Sequence, residues 1–283
     1  MLWTDTFNNH FLPDTAKAAV EVLEAAGFRV LLPLASLCCG RPLYDFGMLD
    51  RAKGLLLDTL DTLAIEIEAG IPIVALEPSC AAVFRDELIN LFPNDARARR
   101  LSQRTFLLSE FLEKEAKGFQ PPKLARKALI HGHCHHKSVM KMSDEESVLK
   151  KMGVAYEAPA PGCCGMAGSF GFEPDKYEVS VAIGELELLP AVRNVSPDCL
   201  IIADGFSCRE QIAQCTDRHA LHLAEVIQMA MREGPLGSVG PYPERASVWR
   251  RQKDVQSSMQ RAGLAVAGVA GGAALLWALA RRD

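Results

Sequence analysis

Two stretches place adjacent cysteines beside glycine: "LASLCCGRPL" carries Cys38 and Cys39, and "APGCCGMAGSFGF" carries Cys163 and Cys164. Successive side chains on an extended chain point to opposite sides, so two neighbouring thiols serve one site only where the loop bends sharply. Gly162 and Gly165 permit that bend, and Gly168 and Gly171 leave room for a bulky group near the backbone. Cys134 in "HGHCHH" and Cys208 in "GFSC" each follow an apolar run that reads as a strand. Four thiolates are what an iron–sulfur cluster or a closed zinc site takes, and thiol redox chemistry at Cys163 and Cys164 is a third option. Cys80, in "EPSC", joins Cys38 and Cys39 as a second set of three. Cys199 and Cys215 read as small buried hydrophobes. His131, His133, His135 and His136 crowd around Cys134, but alternation along a strand keeps them from all facing one ion.

The elements that must position these residues alternate. Helical spacing over 14–26 leads to the strand-like "FRVLLP" and the first cysteine pair; a second helical stretch, from Met48 to about Glu68, leads to "IPIVALEP" and Cys80. The second half repeats that order: "KALIHGH" to Cys134, a helix around "SDEESVLKKM", "VAYEAP" to the second pair, helix "DKYEVSVAIGELELL", then "CLIIAD" to Cys208. Cys39 and Cys80 stand 41 residues apart and Cys164 and Cys208 stand 44 apart, which points to an internal duplication. The expected fold is α/β: two tandem pseudo-repeats with largely parallel, Rossmann-like sheets, plus a C-terminal apolar helix. The cysteine loops then meet outside the carboxyl ends of strands, where open α/β sheets bind their ligands. On this pattern the chain divides into a first repeat over 1–117, a linker over 118–127, a second repeat over 128–233, a flexible connection over 234–261 and a transmembrane helix over 262–280.

Composition narrows the function classes. A net charge of −4 gives no basic face for phosphate backbones, which argues against nucleic acid as a partner. Nine cysteines in 283 residues, clustered with glycine and histidine, fit metal or redox chemistry in a reducing compartment better than a disulfide framework. The N-terminus lacks the pattern of a signal peptide, so the body is expected in the cytoplasm. Residues 262–280 are uncharged and bounded by Arg261, Arg281 and Arg282, which suits a single membrane anchor holding the body on the cytoplasmic face of the inner membrane.

Two copies of strand, CCG loop, helix, strand and cysteine turn resemble the cysteine-rich CCG domain family, which includes the cysteine-rich component of heterodisulfide reductase and the iron–sulfur subunit of glycolate oxidase. "DTFNN", "CCGRPLYDFGMLD", "LEPSC", "HGHCH", "GCCGMAGSFGFE" and "ADGFSCREQI" are most similar to the C-terminal region of bacterial FAD-linked oxidases of the D-lactate dehydrogenase type. The resemblance implies a 4Fe-4S cluster on Cys134, Cys163, Cys164 and Cys208, with Gly205 where the first cysteine of a CxxC would stand. In the first repeat it leaves Cys38, Cys39 and Cys80, with Thr6 near the early cysteine position and Glu77 at the first CxxC position, so a second cluster there would need Glu77 or an external ligand. It further implies an FAD-containing dehydrogenase partner with ferredoxin-type clusters, and quinone or another acceptor. No GxGxxG follows a strand and no ferredoxin-type cysteine run is present, so neither an FAD nor an NAD site is expected, nor oxidation of a hydroxy acid by this chain alone.

Overall fold

The computed structural model describes residues 1–159 and 162–280, with side chains described up to residue 269. Met1–Glu244 forms one compact unit, and the residues from Arg245 onward form a second. The first unit holds two three-stranded parallel sheets. One runs β1 (Leu2–Trp3), β2 (Ile73–Ala75), β3 (Thr105–Leu107) in that spatial order. The other comprises β4 (Lys127–Ile130), β5 (Ala155–Glu157) and β6 (Leu200–Ile202), in the order β5-β4-β6.

The edges extend the likeness between the sheets. Leu221 bridges Ile202 beside β6, in the place β3 takes beside β2. The Leu2 N–H donates to the Leu31 carbonyl at 2.8 Å, so "FRVLLP" flanks β1 as β5 flanks β4, though it falls short of a full strand. Register then gives a residue-level correspondence. Leu2 pairs with Val74 and Ile130 pairs with Ile202, and Val74 and Ile202 each stand six residues before a cysteine, Cys80 and Cys208. Counting forward from Leu2 and Ile130, Trp3 corresponds to His131, Asp5 to His133 and Thr6 to Cys134.

Side chains alternate across each strand, and the two faces serve different cores. Leu2, Val74 and Phe106 join Ala128, Ile130, Leu200 and Ile202 in one core shared by both sheets, together with residues of the helices Pro13–Ala25 and Leu223–Glu233. Each large apolar side chain buried in this shared core contributes about 1.5–3 kcal/mol. The opposite faces line two private cores. Trp3, Ile73, Ala75 and Leu107 pack with Cys39 and Cys80, while Leu129, Ile201 and Ala203 pack with Cys164 and Cys208. Each private core therefore ends in a cysteine pair at the carboxyl edge of its sheet.

Among the described residues the second unit is the helix Arg245–Ala280. Residues 245–261, read from the sequence as flexible, are thus helical. Among the described residues no helix is long and apolar enough to cross a membrane. The transmembrane helix expected at 262–280 is therefore unsupported, and the side chains of 270–280 lie outside the described residues. Alanine and glycine, which dominate that stretch, contribute little transfer energy.

Candidate metal centre

All four cysteines expected in the second repeat come together. Cys134 follows β4, Cys163 and Cys164 follow β5, and Cys208 is the third residue of the helix Phe206–Cys215 that follows β6. Adjacent parallel strands deliver these loops to one edge. The Cys134 and Cys163 sulfurs are 3.8 Å apart, and the Cys164 thiol lies within hydrogen-bonding reach of both Cys163 and Cys208. The set runs from exposed Cys134 through half-buried Cys163 to buried Cys164 and Cys208.

The bend that folds two neighbouring thiols into one set is made by Gly165, at φ +90°, whose N–H donates to the Cys163 sulfur at 3.3 Å. A Cβ there would sit 2.0 Å from the Ser180 carbonyl oxygen, so no other residue fits. Gly40 repeats the turn in the first repeat, at φ +78°, with its N–H 3.5 Å from the Cys38 sulfur. Two other glycines have different surroundings. Gly162 presents its carbonyl to Lys137 Nζ, which donates to it at 2.9 Å. Gly171 clears space for Met166 and Ser180, whose side-chain atoms lie 2.4 and 2.6 Å from where its Cβ would be, and not for a cofactor.

The first-repeat set also assembles. Cys80, again the third residue of its helix (Pro78–Ala82), places its sulfur 2.9 Å from that of Cys39, and Cys38 adjoins Cys39. The register gives it Thr6 where the second set has Cys134, so three thiols stand where the other repeat has four. Glu77 does not stand free to make up the number: its carboxylate already accepts hydrogen bonds from Ser79 and from the Phe206 backbone.

Electrostatics separates the two sets. In the second, contact with Cys134 and then Cys164 holds the Cys163 thiol far below its ordinary range, and contact with Cys164, assisted by His131 and His133, does the same for buried Cys208. Contact with Cys163 pushes Cys134 and Cys164 upward. In the first set all three thiols are raised. Cys38 is raised chiefly by contact with Cys39. For Cys80, contact with Cys39 lowers the pKa, but burial and the charges of Asp5 and Glu77 outweigh it. The contacts of Cys39 pull both ways, Cys38 downward and Cys80 upward, and with burial the balance is strongly upward. At corresponding positions Asp5 and Glu77 stand in the first repeat where His133 and Gly205 stand in the second, and their charges help to raise Cys80. A Cβ on Gly205 would meet the His133 ring at 2.4 Å, so His133 fills the space a cysteine side chain would need. His135, beside Cys134, is depressed to about 4, mainly by burial, and stays neutral.

The four-thiol second set suits a cation that takes soft sulfur ligands. His131 Nε2, on the residue beside Cys208, is buried without a hydrogen-bond partner in the protein. Asp5 escaped the sequence reading; its register opposite His133 was the available signal. Cys199 donates its thiol to the Leu200 carbonyl behind β6, consistent with a packing role.

Comparison with known proteins follows the same residues. The family model of the CCG cysteine-rich domain matches residues 6–85 and 129–213. The chain is similar to the D-2-hydroxyglutarate dehydrogenase of Pseudomonas putida, 27% identical over 235 residues that cover 82% of this chain and 22% of the relative. It is similar to lactate utilization protein A of Bacillus velezensis, 30% identical over 232 residues covering 77% and 93%. It is also similar to one of the subunits of the anaerobic glycerol-3-phosphate dehydrogenase of Escherichia coli K12, 27% identical over 230 residues covering 80% and 57%. The chain thus spans about a fifth of the first relative and just over half of the third.

Proposed function

The chain belongs to the CCG cysteine-rich domain family, and from that premise we propose that it is an iron–sulfur electron-transfer subunit, or the C-terminal module, of a flavin-linked 2-hydroxy-acid dehydrogenase. The observation that carries this is the meeting of Cys134, Cys163, Cys164 and Cys208 at the carboxyl edge of β5-β4-β6. These four would hold a 4Fe-4S cluster, which when bound would supply one-electron transfer. The protein's own part is to gather the thiols, to donate the Gly165 N–H to Cys163, and to bury Cys164 and Cys208 away from water. Cys134 at the surface gives the electron path its opening to a partner.

The partner is an FAD-containing dehydrogenase subunit with ferredoxin-type clusters, and the electrons pass on to quinone or another acceptor. The relatives' names, a D-2-hydroxyglutarate dehydrogenase, a lactate utilization protein and a component of a glycerol-3-phosphate dehydrogenase, support a small hydroxylated substrate for that partner. The missing thiol at Thr6 supports one cluster per chain, with a second at Cys38, Cys39 and Cys80 in doubt. Free thiols throughout suit a cytoplasmic location.

Anaerobic purification with iron and sulfide analysis and EPR tests this. About four iron and four labile sulfide per chain, with an EPR signal on reduction or oxidation, is the expected result. A colourless protein with one zinc on these cysteines, or one with neither iron nor sulfide, overturns it.

A further inference from the structure

A second group of ligating side chains lies outside the cysteine sets. His136, Glu145 and Asp204 are 1%, 2% and 3% exposed, and one ligand atom from each lies within 4.8 Å of the others. Three separate elements bring them together. His136 opens the π-helical turn His136–Met140, Glu145 sits in the first turn of the helix Ser143–Met152, and Asp204 follows β6.

Their polar atoms are underused for so buried a place. Neither ring nitrogen of His136 has a hydrogen-bond partner, nor has Glu145 Oε2, which stands 3.4 Å from His136 Nδ1. Among the described residues neither carboxylate is paired with a lysine or arginine. Buried groups of this kind are costly unless something satisfies them.

Asp204 is held in place from outside the group. Its Oδ1 accepts the Leu223 N–H at 2.9 Å and lies 3.4 Å from His222 Nε2. His222 is committed elsewhere: Nδ1 accepts the Ala224 N–H at 3.0 Å, so Nε2 carries the proton and faces the Leu76 carbonyl at 3.1 Å. His222 therefore orients the carboxylate from behind, as outer partners do around ligating groups.

We propose that His136, Glu145 and Asp204 bind one divalent cation of the zinc, manganese or ferrous class, at a site separate from the cysteines. Two carboxylates balance the ion's charge and one imidazole nitrogen completes a protein donor set of three, leaving a position for water. The oxygen-rich set is harder than the thiolates, which keeps the two centres chemically distinct. The ion ties the loop carrying Cys134 to the loop carrying Cys208 through the helix Ser143–Met152, so its role is to position those loops.

The test uses the full chain and is independent of whether iron is bound to the cysteines. Elemental analysis of the purified protein is followed by addition of Mn2+ alone, read from the loss of the free-ion EPR signal. One equivalent of zinc, manganese or non-cluster iron, present on isolation or taken up as Mn2+, is expected. Glu145→Gln and Asp204→Asn should each weaken retention by more than ~100-fold while circular dichroism is unchanged. Should both variants unfold, X-ray absorption of the zinc-loaded wild type decides: a nitrogen and oxygen shell at about 2.0–2.1 Å supports the site, and a sulfur shell at about 2.3 Å overturns it. A wild-type chain that neither contains nor takes up such an ion, or folded variants that hold it as tightly as wild type, also overturns it.

Discussion

The Glu77 carboxylate bridges to the backbone of Phe206, accepting its N–H on Oε2 at 2.8 Å, while Oε1 accepts the Ser79 N–H at 3.1 Å and the Ser79 hydroxyl at 2.8 Å. One buried side chain therefore caps the starts of two helices, those that carry Cys80 and Cys208. The last cysteines of the two repeats are fixed relative to each other by this link. Arg209 strengthens it, donating to Thr15 at 2.9 Å and to Asn8 at 3.0 Å, and Asn8 in turn donates to Asp5.

Replacing Glu77 with alanine leaves two helix-start N–H groups without their acceptor. The expected cost is roughly 2–4 kcal/mol, from a lost cap and an unpaired buried donor in each helix. Glu77→Gln retains an acceptor oxygen and should cost about half as much. Urea unfolding followed by circular dichroism measures both. Equal stabilities for Glu77→Ala and wild type would remove Glu77 from this role.

Thr6 stands at the register position of Cys134 and, like it, is exposed. Thr6→Cys therefore gives the first repeat a fourth thiol at the corresponding position, in addition to Cys38, Cys39 and Cys80. Paired with Asp5→Asn, which removes the carboxylate charge that raises Cys80, it should increase iron and sulfide toward twice the wild-type content. Iron analysis reads the outcome directly. An unchanged content in the folded double variant would mean that the register alone does not make a site.

The cysteine framework was legible because it follows strands that announce themselves. β2, β4 and β6 are continuous apolar runs, each leading to a cysteine. β1 has two residues, and β3 leads straight into the helix Leu108–Lys114, so both escaped as strands, and Thr6 was placed near the early cysteine position by the resemblance alone. The group at His136, Glu145 and Asp204 was hidden for another reason. Glu145 belongs to an acidic first turn, Asp144, Glu145 and Glu146, which reads as ordinary complementing of a helix dipole. His136 was one of four clustered histidines, and only tertiary packing separates it from the others. Glu77 looked like a substitute ligand because it occupies a cysteine's place in the pattern, whereas its hydrogen bonds make it a helix cap.

Gly165 and Gly168 both lie at positive φ, +90° and +65°, but they differ in surroundings. A Cβ on Gly165 collides with the Ser180 carbonyl, while one on Gly168 meets nothing within 4 Å. Gly168→Ala should therefore cost only the left-handed backbone penalty, about 1–2 kcal/mol. Gly165→Ala adds displacement of the helix Tyr177–Gly184 and should cost more than about 3 kcal/mol, together with the Cys163–Cys164 bend. Comparing unfolding midpoints and metal content of the two variants checks this. Similar losses in both would show that the backbone conformation, and not the contact with Ser180, sets the cost.

Glu110 supplies a pH dependence whose sign is fixed by its partners. Burial disfavours its charge, but Arg85, the Leu107 N–H and Lys114 outweigh that, so its pKa is lowered from the ordinary 4.5. Arg85 Nη1 lies 2.7 Å from both carboxylate oxygens, and the Leu107 N–H reaches Oε2 at 2.9 Å. Because the folded pKa is below the unfolded one, the unfolded chain binds the proton more readily. The contribution is fully present above about pH 4.5 and is lost as pH falls through the lowered folded value. Glu110→Gln should cost roughly 2–4 kcal/mol at neutral pH, since it leaves Arg85 without its buried counter-charge. The same variant should lose less stability than wild type on acidification below pH 4.5. Unfolding free energies measured from pH 7 down to pH 3 make the comparison, and parallel acid limbs for the two proteins would assign the acid sensitivity to other carboxylates.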